Sequence, residues 1–251
     1  MSFEKNRIVI IGATSAIAEH CARLWVATGP VNLVLVGRDR VKTEQVAADL
    51  RVRSSLSSIK TLEADFVDPT KIRKLVNGIV TEGVVDIVLI AHGSLPDQPR
   101  CQQDLSLCSN ILNINGISPV LFAEAFAEHM QKNNSGTLVL IGSVAGDRGR
   151  KSNYIYGAAK GLIARYAQGL QHRFADTGVK VVLVKPGPTD TPMTAHLKQQ
   201  TGRLASVEYV ARLIFLGVNQ GKSVVYAPKR WRLIMLVIRH LPSFLFNRMN
   251  I

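Results

Sequence analysis

The sequence predicts one α/β domain, a doubly wound parallel sheet flanked by helices. Two observations carry this. Short runs rich in β-branched residues recur along the chain and are almost continuously apolar, as strands covered on both faces must be. Longer helix-like stretches separate them, and strict strand–helix alternation is the pattern of a parallel sheet with crossover helices.

In chain order, "RIVII" (7–11) is the first strand and 15–28 the helix after it. "VNLVLV" (31–36) follows, with a helix over 39–51. A weaker strand at 58–62 precedes "EADFVDP", then a helix over 70–81. "VDIVLI" (85–90), a helix over 117–131, "TLVLI" (137–141), a long helix over 154–177 and "VKVVLV" (179–184) continue the alternation, with a last strand at 223–226. No repeat, low-complexity tract or linker precedes Gly221. Residues 1–228 therefore read as one domain and 229–251 as a basic, amphipathic tail that completes that domain or meets a membrane.

At 251 residues and 47% hydrophobic content the chain can bury a full core, which argues against disorder. Its longest candidate membrane run, 233–238, falls short of the ~20 residues a span needs. The first residues lack a secretory pattern, so a cytoplasmic protein is expected. Cys21, Cys101 and Cys108 are odd in number and lack metal-ligand spacing, so reduced thiols and no metal site are expected. The net charge of +13 is concentrated toward the end: no acidic residue follows Glu208, whereas Arg212, Lys222, Lys229, Arg230, Arg232, Arg239 and Arg248 do. An anionic membrane surface or a phosphorylated substrate fits this excess. Nucleic acid fits least, because zinc-finger spacing, RNP-like motifs and basic–aromatic interleaving are absent.

In such sheets ligands bind beyond the carboxyl ends of the strands. Gly12, Gly37, Asp65, Gly93, Ser143 and Pro186 all fall there. "IVIIGATSAIAEH" is a strand, a small-residue turn and a helix start, where backbone amides can approach a pyrophosphate; a tight turn without a ligand is the alternative. Where a site for NAD would carry an acid after the second strand, this chain has Gly37 and then Arg38. A guanidinium can fork onto a 2′-phosphate, which favours NADPH over NADH, unless Arg38 is merely solvated.

Ser143 precedes Tyr156 by thirteen residues, and Lys160 follows Tyr156 by four, on the same helical face. A hydroxyl, a phenol and an ammonium at these intervals suit carbonyl chemistry. The cation is expected to lower the phenol's pKa, and the hydroxyl to bond the carbonyl oxygen. Tyr154 lies off the helical face of Lys160.

With these residues the chain resembles the short-chain dehydrogenase/reductase family, a Rossmann-type fold, over roughly residues 6–226. The resemblance implies cofactor contacts from Gly12, Thr14, Ser15, Ala16, Ile17, Arg38, Asp65, Ala91, Gly93, Pro186, Gly187 and Thr189, besides Tyr156 and Lys160. It implies catalytic roles for Ser143, Tyr156 and Lys160, with Asn115 holding a water relay to the lysine. It also implies a homo-oligomer. The departures are Ala16 and Ala18 where glycines are usual, and "IAHG" (90–93), whose His92 is either a satisfied loop residue or a contact to cofactor or substrate.

A closer resemblance, carried by "AGDRGRKSNYIYGAAKG", "PMTAHLK" and the tail "VVYAPKRWRLIMLVIRHLPSFLFNRMNI", is to the decaprenylphosphoryl-2-keto-ribose reductases. It implies a lipid-linked keto-sugar substrate, a flavin-dependent oxidase acting beforehand, and a place at the inner face of the membrane in cell-wall precursor synthesis. A reductase of a soluble acyl, steroid-like or aromatic ketone and a non-catalytic nucleotide-binding regulator are the alternatives. Arg148, Arg150 and Lys151, between Ser143 and Tyr156, are candidates to hold the substrate's phosphate. In the tail Trp231, Ile234, Ile238 and Leu241 recur at helical spacing up to Pro242, which should end or kink the helix. Such a segment suits a membrane interface or packing over the active site or a second subunit.

Overall fold

The computed structural model describes residues 6–197 and 204–249; Lys198 of "PMTAHLK" and the last two residues of the tail lie outside the described residues. Seven strands form one all-parallel sheet in the order β3-β2-β1-β4-β5-β6-β7. They are β1 Arg7–Ile11, β2 Asn32–Gly37, β3 Ser58–Glu63, β4 Ile87–Ile90, β5 Gly136–Ile141, β6 Val179–Pro186 and β7 Val224–Ala227. The order reverses between β1 and β4, which opens the ligand crevice of a doubly wound sheet.

Side chains alternate across the strands, so each apolar run supplies both faces. Val9, Ile11, Val34, Val88 and Leu140 pack under helices α3 (Pro69–Thr81), α6 (Ser118–Asn133) and α7 (Tyr154–Arg173), with Phe122 and Phe126 almost wholly buried. Ile8, Ile10, Leu35, Leu89 and Val182 pack under α1 (Ala16–Thr28), α2 (Arg40–Arg53) and α8 (Val207–Asn219). Core packing on both faces is why the inner strands carry no polar face, whereas the edge strand β3 leaves Ser58, Lys60 and Glu63 exposed.

The structure departs from the sequence-based expectation between β4 and α6. Two short helices, α4 (Gln98–Gln103) and α5 (Leu105–Leu112), and a π-turn (Asn113–Ile117) fill a stretch expected to contain only the start of one helix. From Leu105 to Asn133 the helix is continuous, and by length and composition it could cross a membrane, which corrects the expectation that 233–238 is the longest candidate. Its Phe122 and Phe126 belong to the core. The long helix α7 stops at Arg173, a turn earlier than expected. The tail forms α9 (Arg230–His240) and α10 (Ser243–Phe246), separated at Pro242 as its missing N–H demands.

Candidate active site

The first turn is built for a close approach of backbone. Gly12 has φ of +85°, a region L-residues avoid, and a Cβ there would fall 2.6 Å from His92 N. Ala16 and Ala18, by contrast, already lie within α1 at ordinary dihedrals, so their methyl groups cost nothing there. The bond from Glu19 N to Ser15 O (2.9 Å) closes the first turn, and the Ser15 side chain makes no capping bond. The amides ahead of Glu19 have no intrahelical acceptor and sit at the positive end of the helix dipole. A cavity of about 650 Å³ lies over this turn, lined by Gly12, Thr14, Ser15, Ala16 and Ile17 and by Gly37, Arg38, Asp39, Lys42 and Phe66.

Arg38 is exposed at the rim of this cavity, 6.0 Å from the Phe66 ring, and pairs with no carboxylate among the described residues. The place of an acid is closed sterically: a Cβ on Gly37 would fall 2.0 Å from Thr43 Oγ1, whose hydroxyl donates to Asp39 O. Asp65 lies outside this cavity. Its carboxylate accepts from Val67 N at 2.8 Å and pairs with Lys71 at 3.0 Å, and these groups hold its pKa below the usual carboxylate range.

A smaller cavity of about 100 Å³ shares Ser15, Ile17, Ala91, His92 and Gly93 with the first, and so continues the same groove. Ser143, Tyr156, Lys160 and Asn115 line it, with Pro186, Gly187 and Thr189 on the far wall. Ser143 caps the short 3-10 turn Val144–Gly146 after β5, its Oγ accepting from Ala145 N at 3.1 Å. That turn lies directly on α7: a Cβ on Gly146 would come within 2.6 Å of the Lys160 carbonyl carbon. This contact brings the serine to the helix that carries the other two groups. Thr191, Met193 and Thr194 also line the cavity. Their side chains announce nothing by type, and Met193 and Thr194 entered the sequence reading only within "PMTAHLK" and not as site residues.

Burial pushes the Tyr156 phenol up to about 12, with the Ser143 hydroxyl pulling the other way. Lys160 is buried, donates to Ile141 O at 3.0 Å and lies 5.7 Å from the Tyr156 ring centre. Desolvation lowers its ammonium to about 8. The expected depression of the phenol by the cation is therefore reversed: removal from water dominates, and it acts on both groups against charge. Asn115 sits wholly buried in the π-turn, where its Oδ1 accepts from Ser94 N (2.8 Å) and its Nδ2 donates to Ile111 O (3.1 Å). Single π-turns inside α-helices are frequent at functional sites.

His92 packs edge-on to Phe66 and Phe122 and bonds Ser118 Oγ at 2.8 Å. Burial first, then the Lys160 and Arg38 cations, lower it to about 3, so it is neutral at the groove floor. Tyr154 is exposed and lines neither cavity. Arg148, Arg150 and Lys151 line neither cavity either. Arg148 turns to the tail, donating to Ile238 O and Leu241 O and stacking on Phe246. Arg150 is partly buried, and Lys151 is exposed.

The donor set fits a dinucleotide: a glycine cradle and free helix amides for a pyrophosphate, an unpaired guanidinium at the rim, and a channel leading to a phenol, a hydroxyl and an amine. Residues 6–202 match the family model described as short chain dehydrogenase. A Streptomyces coelicolor protein named as an uncharacterized oxidoreductase is 30% identical over 246 residues, covering 96% of this chain and 95% of that one. Among solved structures, a short-chain dehydrogenase from Sphingobium yanoikuyae in complex with NADPH superposes with a TM-score of 0.82 at 24% identity, over 98% of this chain and 96% of its own. A bulky-bulky ketone specific alcohol dehydrogenase from Comamonas testosteroni gives a TM-score of 0.81 at 23% identity, over 99% and 96%.

Proposed function

The chain belongs to the short-chain dehydrogenase/reductase family of NAD(P)-dependent oxidoreductases, and we propose that within it the protein uses NADPH to reduce the 2-keto group of a polyprenyl-phosphoryl pentose. The observation that carries the reductase reading is the meeting of Ser143, Tyr156, Lys160 and Asn115 in one small cavity continuous with the groove over the Gly12 turn. When bound, the reduced nicotinamide supplies the hydride. Tyr156 donates a proton to the carbonyl oxygen as charge develops there. A phenol kept protonated by burial is in the right state for reduction at neutral pH. The Ser143 hydroxyl donates to the same oxygen, an interaction that strengthens in the transition state. Lys160 would hold the ribose hydroxyls of the cofactor, and a water held at Asn115 would pass to Lys160 the proton that restores Tyr156. Arg38 would bind the 2′-phosphate, and Thr14, Ser15, Ala16 and Ile17 would hold the pyrophosphate. Ala91, Gly93, Pro186, Gly187 and Thr189 line the smaller cavity and would hold the nicotinamide, and Asp65, outside the groove, would serve only by bracing the loop through Val67 N and Lys71.

The lipid-linked substrate is supported by the resemblance of the tail and by the tail's surface. Leu233, Leu236, Val237, Phe244 and Leu245 are exposed beside Arg230, Arg232, Arg239 and Arg248. An apolar face with cations at its border suits an anionic bilayer, where the substrate's chain would reside. In this reading a flavin-dependent oxidase forms the ketone beforehand, the enzyme works as a homo-oligomer, and it rests peripherally on the inner face of the membrane. A bulky soluble ketone is the second reading, favoured by the Comamonas neighbour. NADPH oxidation against a panel of lipid-linked keto-sugars and simple ketones decides between them.

A further inference from the structure

The tail is fastened at both ends to the loops that carry the active site. At its start, the Trp231 indole covers Gly187, where an added Cβ would fall 2.0 Å from Trp231 Nε1; Gly187 lines the smaller cavity. At its end, the fastening follows from the sequence. The last carbonyls of a helix have no intrahelical donor, and Pro242, lacking an N–H, cannot serve Ile238 O. Arg148, five residues beyond Ser143, fills that gap. Its Nη1 donates to Ile238 O at 2.5 Å and to Leu241 O at 2.6 Å, and its guanidinium lies 3.8 Å from the centre of the Phe246 ring. A cation at a helix C-terminus is also favoured by the dipole. Between these two points only Met235 of α9 is buried, so the helix has few other reasons to lie where it does.

The loop itself is fixed separately. Asp147, next to Arg148, forms a buried ion pair with Lys185 and accepts from Tyr226 Oη at 2.9 Å. Loss of Arg148 would thus free the tail and leave Ser143 in place. We propose that Arg148 is a positioning residue that clasps α9 and α10 across the carboxyl ends of β5, β6 and β7, making the tail a wall of the substrate site that selects ketones bearing a long apolar chain. This rests on the reductase reading above.

The test compares wild type, Arg148→Ala and Arg148→Lys by amide hydrogen exchange of the whole protein and by NADPH-linked kinetics with two soluble probes, cyclohexanone and a long-chain 2-alkanone. In Arg148→Ala, exchange over 238–249 should speed up roughly tenfold or more, as loss of two charge-assisted bonds implies, with β6 unchanged. KM for the long-chain ketone should rise by a similar factor, while kcat for cyclohexanone stays within about twofold; lysine, which restores the charge without the planar stack, should recover part of both effects. Unchanged tail exchange overturns the clasp. Faster exchange with no change in long-chain KM, or an equal loss on both ketones, overturns the selective wall. Should Arg148→Ala fail to fold, Phe246→Leu removes the stacking partner alone and is expected to give the same pattern more weakly; unchanged exchange in that variant counts against the clasp. If wild type reduces neither ketone, a wall that admits ketones by their long apolar chain is overturned, the exchange experiment still decides whether Arg148 holds the tail, and the reductase reading stands or falls separately on the lipid-linked panel above.

Discussion

Replacing Arg38 with alanine should separate the two nicotinamide cofactors. The guanidinium stands exposed at the rim of the larger cavity and pairs with no carboxylate among the described residues, so no internal ion pair must break before it meets a phosphate. A hydrogen bond to a charged group contributes about 1.5–3 kcal/mol, which corresponds to a loss of roughly ten- to a hundredfold in NADPH affinity. NADH, without the 2′-phosphate, should lose almost nothing. The converse change also follows from the geometry. An acid at position 37 would favour NADH, but its Cβ would collide with Thr43 Oγ1 at 2.0 Å. Gly37→Asp should therefore need Thr43→Ala beside it before it shifts preference toward NADH. Fluorescence titration of wild type and each variant with both cofactors measures these affinities. An equal loss of NADPH and NADH in Arg38→Ala would refute the idea that this arginine reads the phosphate.

The pH dependence of kcat/KM should show a falling alkaline limb near 8, because desolvation lowers Lys160 to about 8 in the free enzyme. The sign is set by its charge: the ammonium is present below that value and is lost as pH rises through it. A flat profile across that range in a stopped-flow or steady-state series would detach the lysine's charge from turnover. Lys185→Met should cost about 3–5 kcal/mol of stability by urea denaturation, because it leaves Asp147, 3% exposed, without its cation. Pairing it with Asp147→Leu should recover part of that loss, and a single variant as stable as wild type would show that the pair is not desolvated.

The sheet was legible because every central strand is buried on both faces, so runs such as "RIVII" and "VKVVLV" admit few other readings. The serine, tyrosine and lysine were legible because fixed spacing on one helix and the preceding turn survives without knowledge of packing. What escaped depends on contacts between distant segments. The π-turn at Asn113–Ile117 breaks the helical period that sequence reading relies on, which hid the continuation of α6 back into α5. The loop arginines were expected at the substrate because of their place in the chain. Arg148 instead answers a carbonyl left without a donor by Pro242, ninety-four positions away. The rise in the Tyr156 pKa was likewise hidden, since the spacing of two residues shows their proximity and not their exclusion from water.

The most direct measurement is NADPH oxidation by wild type and Tyr156→Phe on a lipid-linked 2-keto-pentose and on simple ketones, with NADPH affinity followed by fluorescence in the same preparations. Wild type should consume NADPH with the lipid-linked ketone at a higher kcat/KM than with the simple ones. Phenylalanine keeps the ring and removes the proton donor, so turnover should be abolished while NADPH affinity changes little. Near-native turnover in Tyr156→Phe would contradict the assignment of Tyr156 as the acid, and a wild type that reduces simple ketones but never the lipid-linked one would contradict the proposed substrate.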